Sequence, residues 1–243
     1  GRSVRRCLLN VVEEIEKWAG AAGLELPCGS AEGLAAFHAA LAETGRERGV
    51  TALREPGDVL RELILDSLGA AACLPVGARV ADLGSGGGVP GLPLALVRPD
   101  CRILLVESLG RKVAWLEEQV QALGLADRVE VVSRRCEDVG RDPAYRAVLD
   151  AVVAKALAGL PVLVEYALPL LRIGGRLYAY KGPALAEEIE SARHALGELG
   201  GHLAESRPYR VLDRERVVCV VEKVRATPDR YPRRAGVPER KPL

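Results

Sequence analysis

The stretch ARVADLGSGGGVPGLPLALV, residues 78–97, runs from a short apolar segment through a glycine-rich turn into an apolar segment of helical character. A strand that passes through such a turn into a helix is the first half of a βαβ unit. Downstream the same alternation continues. RILLVE (102–107), RVEVVS (128–133), AVLDAVVA (147–154) and GGRLYAYKG (174–182) read as strands. They alternate with the helical segments RKVAWLEEQVQALG (111–124), a stretch after Pro161, and ALAEEIESARHALGELG (184–200). This order predicts right-handed crossovers and a parallel sheet covered on both faces.

Both ends of the chain depart from the alternation. Residues 1–75 read as a helical extension, with segments LLNVVEEIEKWAGAAGL (8–24), SAEGLAAFHAALAETG (30–45) and EPGDVLRELILDSLGAAACL (55–74). The α/β core spans 76–224 and closes with two strands, HLAESRPYRVL (202–212) and RVVCVVEKV (216–224), joined by a short polar turn as an antiparallel hairpin. Residues 225–243, RATPDRYPRRAGVPERKPL, form a tail whose prolines exclude a regular helix or central strand. The expected fold is therefore α/β, with a mostly parallel seven-stranded sheet, an antiparallel C-terminal hairpin and an N-terminal helical extension.

Composition narrows the function classes. With 49% hydrophobic and 28% charged residues the 243-residue chain is of ordinary globular composition. The most apolar region, 151–171, is interrupted by Lys155, Pro161, Glu165 and Pro169, which argues against a membrane span, and the start lacks the pattern of a secretory signal. Cysteines 7, 28, 73, 101, 136 and 219 form no C-x-x-C pair and no metal-ligand spacing with histidines 38, 194 and 202. A cytoplasmic protein with reduced thiols and no metal is expected. Net charge is only +1, so any nucleic-acid contact must come from local patches.

The glycine turn sits where open α/β sheets bind ligands, beyond the carboxyl end of the first strand. Gly86, Gly88 and Gly91 satisfy G-x-G-x-x-G, but Asp82 ends the strand four residues early, and Pro90 removes an N–H where a pyrophosphate would sit. A carboxylate at Asp82 repels a phosphate and favours a ligand with ammonium or sulfonium charge, such as S-adenosylmethionine. Glu107, ending the second strand, is placed to accept hydrogen bonds from ribose hydroxyls. Asp82 as a helix or turn cap and Glu107 as a solvated strand end are the plainer alternatives.

DLGSGGGVPGLPLALVRPD, LLVESLGRKVAWLEEQVQALGL, VLVEYALPLLRIGGRLYAYKG and RYPRRAGVPERKPL, with GVTALREPGDVLRELILDSL before them, resemble the RsmG (GidB) family over the chain from about Gly49 to its end. The resemblance implies a class I, Rossmann-like methyltransferase that uses S-adenosylmethionine. It further implies methylation of guanine N7 in the decoding-region hairpin of 16S ribosomal RNA, with that RNA or the small subunit as partner. It places Gly84, Gly86 and Val89 against the cofactor from the loop, Cys136 and Glu137 at the adenine edge, and Lys155 where the family carries Arg. Gly49 and Leu63 replace a family Asn and His.

Guanine N7 has a free in-plane lone pair and no proton, so no general base is required; no catalytic residue is assigned beyond Lys155 as a candidate, as a clamp on the cofactor carboxylate or an RNA phosphate. Lys181, at the same strand edge, is expected to meet phosphate. Tyr231, Arg233, Arg234, Arg240 and Lys241 are candidates for holding RNA, with Tyr231 as a stacking ring, against the alternative that the tail is pinned to the core. A monomer is expected. Two other readings stay open: a cofactor-binding but catalytically idle RNA or ribosome-assembly factor, and an NAD-dependent oxidoreductase, which Asp82 and Pro90 disfavour.

Overall fold

The structure is a computed structural model that describes residues 2–182 and 185–243, with side chains from Leu8 onward. The thiol of Cys7 and the expected helix position Ala184 lie outside the described residues. Helices α1 (Arg2–Ala22) and α2 (Ser30–Thr44) precede the alternating core. The core comprises β1 (Arg79–Leu83), α4 (Gly91–Val97), β2 (Arg102–Glu107), α5 (Gly110–Ala122), β3 (Val129–Ser133), α6 (Cys136–Arg141), β4 (Leu149–Lys155), α7 (Leu160–Ala167), β5 (Leu171–Lys181) and α8 (Leu185–Leu199). Strands β6 (Gly201–Val211) and β7 (Arg214–Lys223) and a final turn of helix, α9 (Val237–Arg240), complete the chain.

The seven strands lie in the order β3-β2-β1-β4-β5-β7-β6. β1 through β5 are parallel, and β7 runs antiparallel between β5 and β6. Strand order reverses between β1 and β4, the topological switch point where such sheets open a crevice. The hairpin turn is tighter than DRE: β7 begins at Arg214, and Leu212 turns the chain at φ 54°. Pro208 is tolerated because β6 is an edge strand.

Alternation along each strand divides the interior into two cores. Val80, Ile103, Leu105, Val153, Tyr178 and Val220 face one side, where they meet Ile15, Phe37 and Ile64 of the N-terminal helices and Trp115 of α5. Ala81, Leu104, Val106, Val152, Leu177 and Val221 face the other, against Leu163, Tyr166 and the tail residue Tyr231. The helical extension and the tail thus each share a core with the sheet.

The segment expected as one regular helix, 55–74, is irregular. It starts as α-helix over Pro56–Val59, widens to a π-helix over Leu60–Leu65 and tightens to 3₁₀ over Asp66–Cys73; the composite is called α3. Bonds from other elements compete with its own ladder. The Tyr180 hydroxyl accepts from Ala70 N–H at 3.1 Å and donates to the carbonyl of Ser67, while Asp66 is held by side chains of β4 and β6. π segments of this kind are frequent at functional sites.

Candidate active site

The loop between β1 and α4 is built by backbone conformations open to glycine. Gly86 has φ 54°, and a Cβ there would meet nothing closer than Gly84 O at 3.7 Å, so the loop presents bare backbone to the crevice. Gly84 has φ 66°, and a Cβ would stand 2.5 Å from Leu157 Cδ1, which ties this loop to the segment after β4. The buried Trp115 indole donates to Gly87 O at 3.0 Å and holds the loop from α5. Val89 packs against the first core.

Asp82 is 0% exposed. Its Oδ2 accepts from Gly91 N–H at 2.9 Å, capping α4, while Oδ1 has no hydrogen-bond partner among the described residues. Burial raises its pKa to about 7, with Glu107 adding to the rise and the Gly91 bond opposing it. The turn-cap reading therefore describes one oxygen, and the other remains an unmet acceptor. Glu107 spans the loop: Oε2 accepts from Gly86 N–H at 3.0 Å, and Oε1 from Ser108 N–H at 2.7 Å and Leu109 N–H at 2.9 Å. With two acceptor sites per oxygen, Oε1 is filled and Oε2 keeps one.

Lys155 is not a free cation. Its ammonium pairs with Asp66 Oδ2 at 2.7 Å and donates to Glu62 O, joining β4 to the π segment of α3. Lys181 is likewise committed, to Glu188 Oε2 at 2.6 Å and Ala158 O at 2.9 Å. Lys181, expected to meet phosphate, thus stands in a nearly buried ion pair, because a charge at the end of a covered strand needs a partner. Both lysines line a cavity of about 490 Å³ at the ends of β4 and β5. Asp66 and Glu188 line it too, and neither was singled out from sequence, since nothing in LDSL or AEEIE marks which residue the fold turns inward.

The family described as GidB, rRNA small subunit methyltransferase G, matches residues 30–205. The chain belongs to the GidB family. It is 44% identical over 208 residues to the ribosomal RNA small subunit methyltransferase G of Rubrobacter xylanophilus, covering 82% of this chain and 78% of that one. It is 40% identical over 234 residues to the protein of the same name from Roseiflexus castenholzii, covering 96% and 100%. Among solved structures, M. jannaschii TYW2 in complex with AdoMet aligns with a TM-score of 0.53 at 16% identity over 65% of this chain and 75% of that one. The B. subtilis tRNA methyltransferase TrmK aligns with a TM-score of 0.52 at 20% identity over 70% and 69%. These two likenesses concern the fold alone.

In this GidB-family chain the remaining expected residues divide between crevice and tail. Cys136 opens α6 as a buried thiol, its pKa pushed up to about 12 by burial first and by Glu137 next. Glu137 turns toward the tail: its Oε1 accepts from Gly236 N–H at 2.7 Å and lies 3.5 Å from the Tyr166 hydroxyl. Glu137 Oε1 is thus committed to the tail. Tyr231 is a buried core residue with Arg230 over its ring at 5.0 Å, so it offers no free face for stacking a base. Arg233 is spent on the buried Glu165. Arg146 clamps the tail by donating to Tyr231 O, Thr227 O and Pro228 O. Arg234 and Lys241 are exposed.

Proposed function

We propose that this chain transfers a methyl group from S-adenosylmethionine to N7 of a guanosine in the decoding-region hairpin of 16S ribosomal RNA, in the cytoplasm, on the small subunit or its RNA. Membership of the GidB family supports the reaction and the RNA. The observation in the site that carries the cofactor is the unmet Oδ1 of Asp82 beside bare glycine backbone: a buried acceptor waiting for a donor or a positive charge. The acceptor set fits the cofactor's ammonium, sulfonium and ribose hydroxyls and disfavours a pyrophosphate.

When bound, the cofactor supplies an electrophilic methyl; the N7 lone pair takes it while the electron pair of the broken C–S bond stays on sulfur, and the positive charge passes to the base. Asp82 and Glu107 would hold the cofactor's cationic and hydroxyl groups, with the backbone of Gly84, Gly86 and Cys136 beside it. Lys155 has two of its three donors on Asp66 and Glu62, and keeps one for the cofactor carboxylate. No residue has to accept a proton from N7, which has none. The protein's task is then alignment, for which well-oriented reactants supply roughly 7–11 kcal/mol. Arg234 and Lys241 would contact RNA phosphates.

The test is incubation with methyl-labelled S-adenosylmethionine and small subunits that lack the modification, followed by chain cleavage at N7-methylguanosine. Label at one hairpin guanosine is the expected result. Cofactor binding without label on subunits or naked RNA would overturn the reading in favour of an idle factor.

A further inference from the structure

The cavity at the ends of β4 and β5 is separate from the glycine loop and adjoins it. Leu157 is the shared wall, lining the cavity and lying 2.5 Å from the place of a Cβ on Gly84. At about 490 Å³ it falls within the roughly 300–1,000 Å³ of small-ligand pockets. Ala156, which also lines it, holds φ 54°, a left-handed conformation rare for a residue with a Cβ and concentrated at functional sites.

Two lysine ion pairs face this space, with Arg216 also reaching Asp66 Oδ1 at 3.5 Å, and the two lysine pairs differ in what they leave available. In the Lys155–Asp66 pair both carboxylate oxygens are engaged, Oδ2 by Lys155 at 2.7 Å and Oδ1 by the Tyr209 hydroxyl at 2.6 Å. In the Lys181–Glu188 pair both donors fall on one oxygen: Oε2 accepts from Lys181 Nζ at 2.6 Å and from Leu160 N–H at 2.8 Å. Oε1 of Glu188 has no hydrogen-bond partner among the described residues, and the side chain is 27% exposed. The two bonds on Oε2 fix the carboxylate in place, while Oε1 remains an acceptor.

We propose that this cavity receives the acceptor guanine ring and that Glu188 Oε1 accepts a hydrogen bond from the exocyclic N2 amino group, making Glu188 a specificity-determining residue. The inference rests on the guanine-N7 reading above. With N7 turned toward the methyl donor, the N2 amino group points to the opposite side of the purine, and adenine has no donor there. As the ring gains positive charge its N–H groups become stronger donors, so a carboxylate contact tightens on the way to the transition state. That is the condition under which a contact raises kcat as well as affinity.

The test compares the wild-type protein with Glu188→Gln on small-subunit RNA carrying guanosine or inosine at the target, since inosine lacks only the N2 amino group. For the wild type, inosine is expected to lower kcat on the order of 10- to 100-fold, the range of a hydrogen bond to a charged group. Glu188→Gln is expected to lower kcat for guanosine by a similar factor, to leave cofactor affinity by calorimetry unchanged, and to shrink the inosine penalty to about 2-fold. Wild-type kcat and an undiminished inosine penalty in Glu188→Gln would overturn the assignment of Glu188. Ala158→Phe fills the cavity from the loop and keeps both ion pairs, so it reports even if Glu188→Gln does not fold: loss of transfer with cofactor binding intact supports the cavity, and full turnover overturns it. No N7 label from the wild type on guanosine RNA would instead mark failure of the parent reading, and this one with it.

Discussion

Glu165 of α7, with no exposed surface, holds Arg233 of the tail through both carboxylate oxygens, Nη2 to Oε2 at 2.6 Å and Nε to Oε1 at 2.9 Å, and Oε1 also accepts the Arg233 backbone N–H at 2.8 Å. This fork-to-fork pair fixes the tail against the second core and converts a sequence-level RNA candidate into a structural anchor.

Removing one partner leaves the other as an uncompensated buried charge. Arg233→Met is expected to destabilise the fold by about 3–5 kcal/mol. In a chain of this size that is a fall of roughly 6–20 °C in Tm by calorimetry. Arg233→Lys, which keeps the charge and loses the fork, should fall between. A Tm within about 2 °C of wild type for Arg233→Met would show that the pair contributes nothing net.

The raised pKa of Asp82, about 7 against 3.8, makes two pH effects with a defined sign. Between these values the folded state holds a proton that the unfolded state has lost. Asp82's contribution to stability is therefore complete below about pH 4 and is lost as pH rises through 7. Cofactor binding runs the other way, because the ionised carboxylate is the form that attracts a cation. Affinity should rise up to about tenfold per pH unit toward 7 and level off above it. Titration calorimetry from pH 5.5 to 8.5 reads this directly, and Asp82→Asn should flatten the profile; a flat wild-type profile would remove Asp82 from cofactor binding.

Gly86→Val tests the bare backbone of the loop. The strain of a side chain at φ 54° is about 1–2 kcal/mol, more for a β-branched residue, so the protein should remain folded. The added methyls project toward the crevice, and cofactor affinity is expected to drop at least about tenfold, equivalent to about 1.4 kcal/mol. Equal affinity in the variant would place the cofactor elsewhere.

Arg234, Arg240 and Lys241 are the exposed cations of the tail candidates, and Arg240 already donates to Gly236 O at 3.0 Å. Reversing the other two, Arg234→Glu with Lys241→Glu, should weaken RNA binding and reduce the slope of log affinity against log salt by roughly 1.4–1.8, the share of two phosphate contacts. Cofactor affinity should stay as it was. An unchanged salt slope would assign RNA binding to another face.

Sequence periodicity was sufficient for the sheet. Strand-length apolar runs in the order β1 to β7, the glycine turn, and the carboxylates Asp82 and Glu107 at two strand ends are local signals, each read within a dozen residues, and the structure has them at the crevice edge. What local pattern could not carry is the pairing of charged and polar groups distant along the chain. Lys155 meets Asp66, Arg233 meets Glu165, Glu137 meets Gly236, and α3 gives up regular helix where Tyr180 and Asp66 bond across to other elements. A buried charge must find its partner wherever packing brings one within hydrogen-bond reach. The sequence by itself determined the α/β fold and the position of the glycine crevice; only the tertiary structure decided which of its charges remain free to meet a ligand.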